Sequence, residues 1–198
     1  MAPLGLTLDD APDRAEGGSG EAPVAPRLEG LVDDHHAFIW RSLRRLGVPQ
    51  GDVDDAAQKV FLTASRKLAR IRPGSEKSFL FQTAVRVASD SRRTIRRRRE
   101  VPEETNDEPT SAAPDAEQMI DLRRARAKLD AILDAMPMEL RAVFVLFELD
   151  EMPTQEIAAL LDVPVGTASS RLRRARAEFS VQVARMQRRE RAPGGDPR

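Results

Sequence analysis

The sequence contains no cysteine and no tyrosine, and aromatic residues make up only 4% of it. Without cysteine there can be no disulfide and no thiolate-held metal, which suits a reducing compartment. Few aromatics and 32% charged residues leave 198 positions too little apolar material for one large core. Small helical domains with thin cores are the expectation. Long apolar runs are missing too. "AVFVLF" at 142–147 is typical, far short of the roughly 20 residues of a membrane span. The first stretch, "MAPLGLTLDDAPDRAEGG", has neither a basic leader nor an apolar segment, so a cytoplasmic chain without a signal peptide is expected. No phosphate loop, nucleophile elbow or dinucleotide fingerprint occurs. The adjacent pair His35-His36 lacks further spaced ligands, so it is assigned to surface or packing and no metal is expected. Nothing points to an enzyme or to a cofactor.

Charge is present in abundance but segregated beneath a formal net charge of zero. Residues 1–26 carry five acids against Arg14, and residues 86–99 carry seven arginines against Asp90. Residues 100–121 hold eight acids and no base, and residues 166–192 hold eight arginines against Glu178 and Glu190. Two basic blocks separated by an acidic one indicate a protein that binds a polyanion.

The pattern along the chain is all-α, with two small helical domains on a flexible acidic spacer. Residues 1–27, rich in Pro, Gly, Ala and Asp, read as a disordered tail. In 28–99, Leu28, Leu31, Phe38, Ile39, Leu43 and Leu46 mark a first helix stopped by Gly47 and Pro49. A second helix follows Asp52 as N-cap and stops at Pro73-Gly74; a third opens with a capping-box pattern at Ser75 to Ser78 and ends in arginines. Residues 100–115 have linker composition. Residues 116–190 hold four more helices, and 191–198 form a frayed end.

Within the second unit, Thr154 is the expected cap of a short helix burying Ile157, Leu160 and Leu161. Asp162 to Gly166 breaks that helix, and Thr167 is the expected cap of a longer basic one. Helix, short turn and basic helix form a helix-turn-helix layout. At about 100° per residue, Ala168, Leu172, Ala175 and Phe179 share the core face. Ser170, Arg173 and Arg174 then point outward, flanked by Ser169, Arg171 and Arg176. Arginines suit guanine edges and phosphates, and the small residues at the helix start permit close approach. Trp40 is expected as a core or interface aromatic.

The stretch "MPMELRAVFVLFELDEMPTQEIAALLDVPVGTASSRLRRARAEF" resembles the C-terminal domain of bacterial RNA polymerase sigma factors of the extracytoplasmic-function (ECF) type. The shared pattern lies in Met136-Pro137, Arg141, Glu156-Ile157-Ala158, Pro164 to Thr167 and Ser170 to Arg176. More loosely, "DDAAQKVFLTASRKL" resembles the family's core-binding helix, and "FLFQTAVRVASDSRRTIRRRR" its promoter-melting and minus-ten-reading helix. Two positions depart: Phe79 stands for the usual Trp and Arg86 for the usual Asn, so base reading at Arg86 is not carried over. The resemblance spans about residues 29–190.

That resemblance implies a promoter-specificity subunit that directs core RNA polymerase to a promoter set, with double-stranded and melted promoter DNA as ligand. It assigns Arg141, Thr167, Ser169, Ser170, Arg171, Arg173, Arg174 and Arg176 to the minus-thirty-five element, and Arg92, Arg93, Arg96 and Arg97 to the minus-ten region. Asp54, Asp55, Gln58 and Phe61 fall to polymerase binding. An anti-sigma factor is a further candidate partner. The spacer either suits a basic channel made for RNA or is an ordinary solvated linker. The competing class is a free-standing helix-turn-helix repressor or activator.

Overall fold

The structure, a computed structural model, describes residues 24–99 and 116–191; the expected tail and end segments 1–23 and 192–198 and the spacer 100–115 lie outside the described residues. Every regular element among the described residues is helical. The first unit holds α1 (Val24–Arg45), α2 (Val53–Arg66) and α3 (Glu76–Arg99). The second holds α4 (Ala116–Ala135), α5 (Met138–Phe144), α6 (Thr154–Leu161) and α7 (Val165–Arg191). A π-turn, Val145–Leu149, prolongs α5.

Two boundaries differ from expectation. Helix α1 starts at Val24, inside the stretch read as a tail, and Arg27 anchors this turn by donating to the Ile71 carbonyl at 2.6 Å and pairing with Glu76 at 3.3 Å. The expected caps Asp52 and Thr154 do not cap. Asp52 precedes α2 without a side-chain cap hydrogen bond, and Thr154 is already helical. In the second unit prolines start the helices instead. The carbonyls of Pro137, Pro153 and Pro164 accept the first helical bonds, from Arg141, Ile157 and Ala168 at 2.9, 3.0 and 3.1 Å. At Pro137 and Pro153 the fixed φ combines with an extended ψ of 139° and 149°, which sets the non-helical entry into the helix.

The helix ends are equally specific. Helix α1 closes at Gly47, whose φ of +99° is left-handed. Gly47 N–H then reaches the Arg44 carbonyl and Val48 N–H the Leu43 carbonyl, at 3.1 and 3.0 Å. This Schellman arrangement is the one glycine at that place allows. Helix α6 ends the same way, with Asp162 at φ +53° in the left-handed position. Asp162 N–H reaches Ala159 and Val163 N–H reaches Ala158, at 3.3 and 3.0 Å.

The stripes read from the sequence become the core. Ile39 and Leu43 of α1, with Leu46 just after it, meet Val53, Val60 and Ala64 of α2 and Leu80, Phe81 and Ala84 of α3, all essentially inaccessible. The second unit has its own smaller cluster of Leu133, Met136, Leu140, Phe144, Val145 and Ala175, with Phe179 stacked on Phe144 at 4.7 Å between centroids. The larger cluster, however, does not stop at the first unit. It continues through Ala142, Val143, Leu146, Ile157, Leu160 and Leu172, because α3 lies against α6 and touches α5. The sequence separates two units on a spacer; the structure packs them against each other with a common apolar core.

Candidate nucleic-acid interface

Helices α6 and α7 form the helix-turn-helix. Its sharp reversal falls on Asp162, the first residue of the expected break. Gly166 lies in the first turn of α7, where a Cβ would meet nothing within 4 Å. The fold therefore makes no demand for glycine at this position. Thr167 is likewise inside the helix: its N–H donates to Pro164 at 2.8 Å, and its carbonyl accepts from the Ser170 hydroxyl at 2.9 Å.

The angular reading of α7 holds. Ala168, Leu172 and Ala175 are buried, while Ser169, Ser170, Arg173, Arg174 and Arg176 are exposed and Arg171 is half-buried. No acid occurs between Gly166 and Ala177. Among the described residues Arg171, Arg173 and Arg174 have no ion-pair partner, so their field is uncompensated and directed at solvent. Arg176 differs from them. It pairs with Glu148 at 2.7 Å and lies 4.8 Å from the Phe147 ring centroid, which ties the α7 flank to the π-turn after α5.

Two arginines assigned to DNA do not lie on an open face. Arg141 is only 1% exposed, and it corrects the expectation of a free phosphate contact. Its Nε donates to the Arg45 carbonyl at 2.8 Å, its Nη1 pairs with Asp134, and it packs against Gly47 so closely that a Cβ there would fall 2.8 Å away. Burial pushes its pKa below the ordinary arginine value, and the hydrogen bond with Asp134 opposes that shift. Arg92, half-buried on α3, donates to the Asp134 and Met136 carbonyls at the end of α4. Arg93 and Arg97 on the same helix are exposed, as is Arg86, and the side chain of Arg96 lies outside the described residues.

On α2, Asp54, Asp55 and Gln58 are exposed. Asp54 accepts a hydrogen bond from the Trp40 indole at 2.9 Å, which satisfies that aromatic at the edge of the unit. Phe61 is a correction: it belongs to the core at 9% exposure, its ring stacked on His36 at 6.0 Å. An aromatic adjacent to a polar stripe turns inward when the 3.6-residue period puts it beside Ala57 and Ala64. The apolar residue on the outer face is Leu62, 47% exposed, which sequence reasoning missed. Counting four and seven onward from Gln58 and Asp55 would have found it, since both arrive at position 62. Among the described residues no group of acids and histidines is arranged to hold a metal, and none of the helices is long and apolar enough to cross a membrane.

Comparison with known proteins places this architecture. A family model described as Sigma-70 region 2 matches residues 31–99, and one described as Sigma-70, region 4 matches residues 126–179. The chain is 30% identical over 184 residues to the ECF RNA polymerase sigma factor SigE of Mycolicibacterium smegmatis, spanning 92% of this chain and 69% of that protein. It is 32% identical over 151 residues to the ECF RNA polymerase sigma-E factor of Escherichia coli K12, spanning 72% of this chain and 79% of that one. A solved structure of CnrH in complex with the cytosolic domain of CnrY is similar with a TM-score of 0.56 at 23% identity, over 81% of this chain and 94% of that one, a likeness of fold. The chain belongs to the ECF RNA polymerase sigma factors.

Proposed function

We propose that this promoter-specificity subunit reads the upstream element through the outer face of α7 and presents α2 to core RNA polymerase. The observation that carries the reading is the row Arg171, Arg173 and Arg174, without ion-pair partners among the described residues and placed about two turns into a helix whose first turn has open space at Gly166. Ser170, Arg173 and Arg174 face the base edges, while Arg171, Arg176, Ser169 and Thr167 meet the flanking phosphates. Arg93, Arg96 and Arg97 serve the minus-ten region, joined by Arg92 when the units part, and Arg141 then joins the upstream-element set. Asp54, Asp55, Gln58 and Leu62 form the polymerase-facing stripe of α2, supported from inside by Phe61.

Recognition and positioning then account for the whole activity, with no catalytic residue of its own, and the site of action is the cytoplasm. An anti-sigma factor is a further candidate ligand. Transcription of host genomic fragments by purified core polymerase, with and without this chain, tests the reading. New promoter-specific transcripts should depend on the added chain; their absence would sink it. Substituting alanine at Asp55, Gln58 and Leu62 together should lower affinity for core about tenfold or more while helicity is retained, because exposed side chains carry little stability.

A further inference from the structure

Five large apolar side chains stand exposed among the described residues, and two of them are valines of α7: Val165 at 46% and Val181 at 45%. Equal exposure does not make them equivalent. Val165 is the first residue of the helix, whereas Val181 lies about 24 Å further along it, at about 1.5 Å per residue. In a helix-turn-helix the start of the second helix is the part that enters the major groove and touches base edges. Side chains on a helix lean toward its N-terminus, so the Val165 methyls project ahead of the first turn. At about 100° per residue, Val165 shares a flank with Ser169 and Arg176 and stands about 80° from Arg173. Nothing polar surrounds it at the tip. Pro164 and Gly166 are exposed beside it, and a Cβ on Gly166 would meet nothing within 4 Å. Pro164, Val165 and Gly166 therefore present an end without a side-chain donor or acceptor. A phosphate finds no partner in the Val165 side chain, nor does a base nitrogen or oxygen. The group in a major groove that a branched apolar side chain recognises is the C5-methyl of thymine.

We propose that Val165 is a specificity-determining residue that reads the C5-methyl of one thymine in the upstream promoter element. This rests on α7 being the reading helix, and it adds an apolar contact to the charged and polar ones. The two kinds of contact divide the work by chemistry. Arg173 and Arg174 select hydrogen-bonding edges, while Val165 selects a methyl that adenine, guanine and cytosine lack. Ser169, one turn on along the same flank, is small enough to let a base edge close over Val165. The side chain is also ready for the contact, because a valine in a helix is already confined to one strongly preferred χ1 rotamer. Burying one methyl against it corresponds to roughly three- to fivefold in affinity.

Uracil differs from thymine by that methyl alone, so the test can be made atom by atom. Core polymerase carrying the full chain first selects its upstream element from a duplex library randomised over that region. Each thymine of the selected element, on either strand, is then replaced in turn by uracil. Wild-type holoenzyme should lose about three- to fivefold in affinity at one of these positions. Holoenzyme carrying Val165→Ala should bind the thymine and uracil duplexes alike there. Val181→Ala, an equally exposed change on the same helix, should keep the wild-type response in full. An element in which no uracil is felt overturns the proposal, as does a Val165→Ala holoenzyme that still responds like wild type. Loss of the response in Val181→Ala overturns it too, because the effect is then not local to the helix start. Holoenzyme that enriches no upstream element overturns the reading of α7, and Val165 with it, whereas the other failures strike Val165 and leave that reading standing.

Discussion

Arg174 and Arg141 belong to the same unit and the same residue type, yet the structure uses them in opposite ways. Arg174 stands on the outer face of α7, exposed and, among the described residues, without an ion-pair partner. Arg141 is sealed in the seam, where a carbonyl, a carboxylate and a glycine surround it. The outer arginine adds charge that a ligand must complete, whereas the inner one completes a structure already there. Exposure and partners decide between the two roles, and residue type does not.

The largest effect should come from breaking the inner member. Arg141→Ala leaves the Arg45 carbonyl without its donor and is expected to lower unfolding free energy by about 1–3 kcal/mol. Arg174→Ala, on an open surface, should stay within about 0.5 kcal/mol of wild type. Urea unfolding of both variants measures the contrast, and equal losses would mean that the seam is not what stabilises Arg141.

The next effect belongs to the outer member alone. A bidentate arginine–guanine contact is worth roughly 1–3 kcal/mol of discrimination, about ten- to a hundredfold, so loss of Arg173 or Arg174 should change which bases are preferred. Selection from a library of upstream-element variants by polymerase carrying each substitution reads this out. Unchanged preference in both would place the reading residues elsewhere on α7.

Arg176 sits between the extremes, exposed but engaged by Glu148 and Phe147. Arg176→Ala should weaken all sequences alike and reduce the slope of log affinity against log salt by about 1. An accompanying change in base preference would move Arg176 into the reading set. Its stability cost should be below about 1 kcal/mol, because exposed ion pairs contribute little.

A small effect on the fold, with the opposite sign to that at Arg141, is expected at Gly166. Alanine there meets open space in a helix and should raise stability by about 0.5–1 kcal/mol. If DNA approaches the start of α7 closely, affinity should fall in the same variant. A stabilised variant with unchanged affinity would show that the glycine serves neither the fold nor the DNA contact.

Much of this molecule was legible in its sequence. The alternation of apolar positions located the helices, and the 100° period named Ala168, Leu172 and Ala175 as the inner face of α7 and Arg173 and Arg174 as the outer one. Those properties are local, since a helix turns at the same rate wherever it is packed. Phe61 turns inward and Leu62 outward because a one-residue step rotates a side chain by over a quarter turn. Capping by Thr154 was misread for a related reason: a proline competed for the same helix start, and Pro153 took it. What the sequence by itself determined is therefore the set of helices, their faces and the charge each face carries. The tertiary structure alone decided that Arg92, Arg141 and Ser78 would leave the surface or their own helix to cap the ends of distant ones. A leftover carbonyl advertises nothing in the residue that bears it, and only the docking of two units brings a donor within reach.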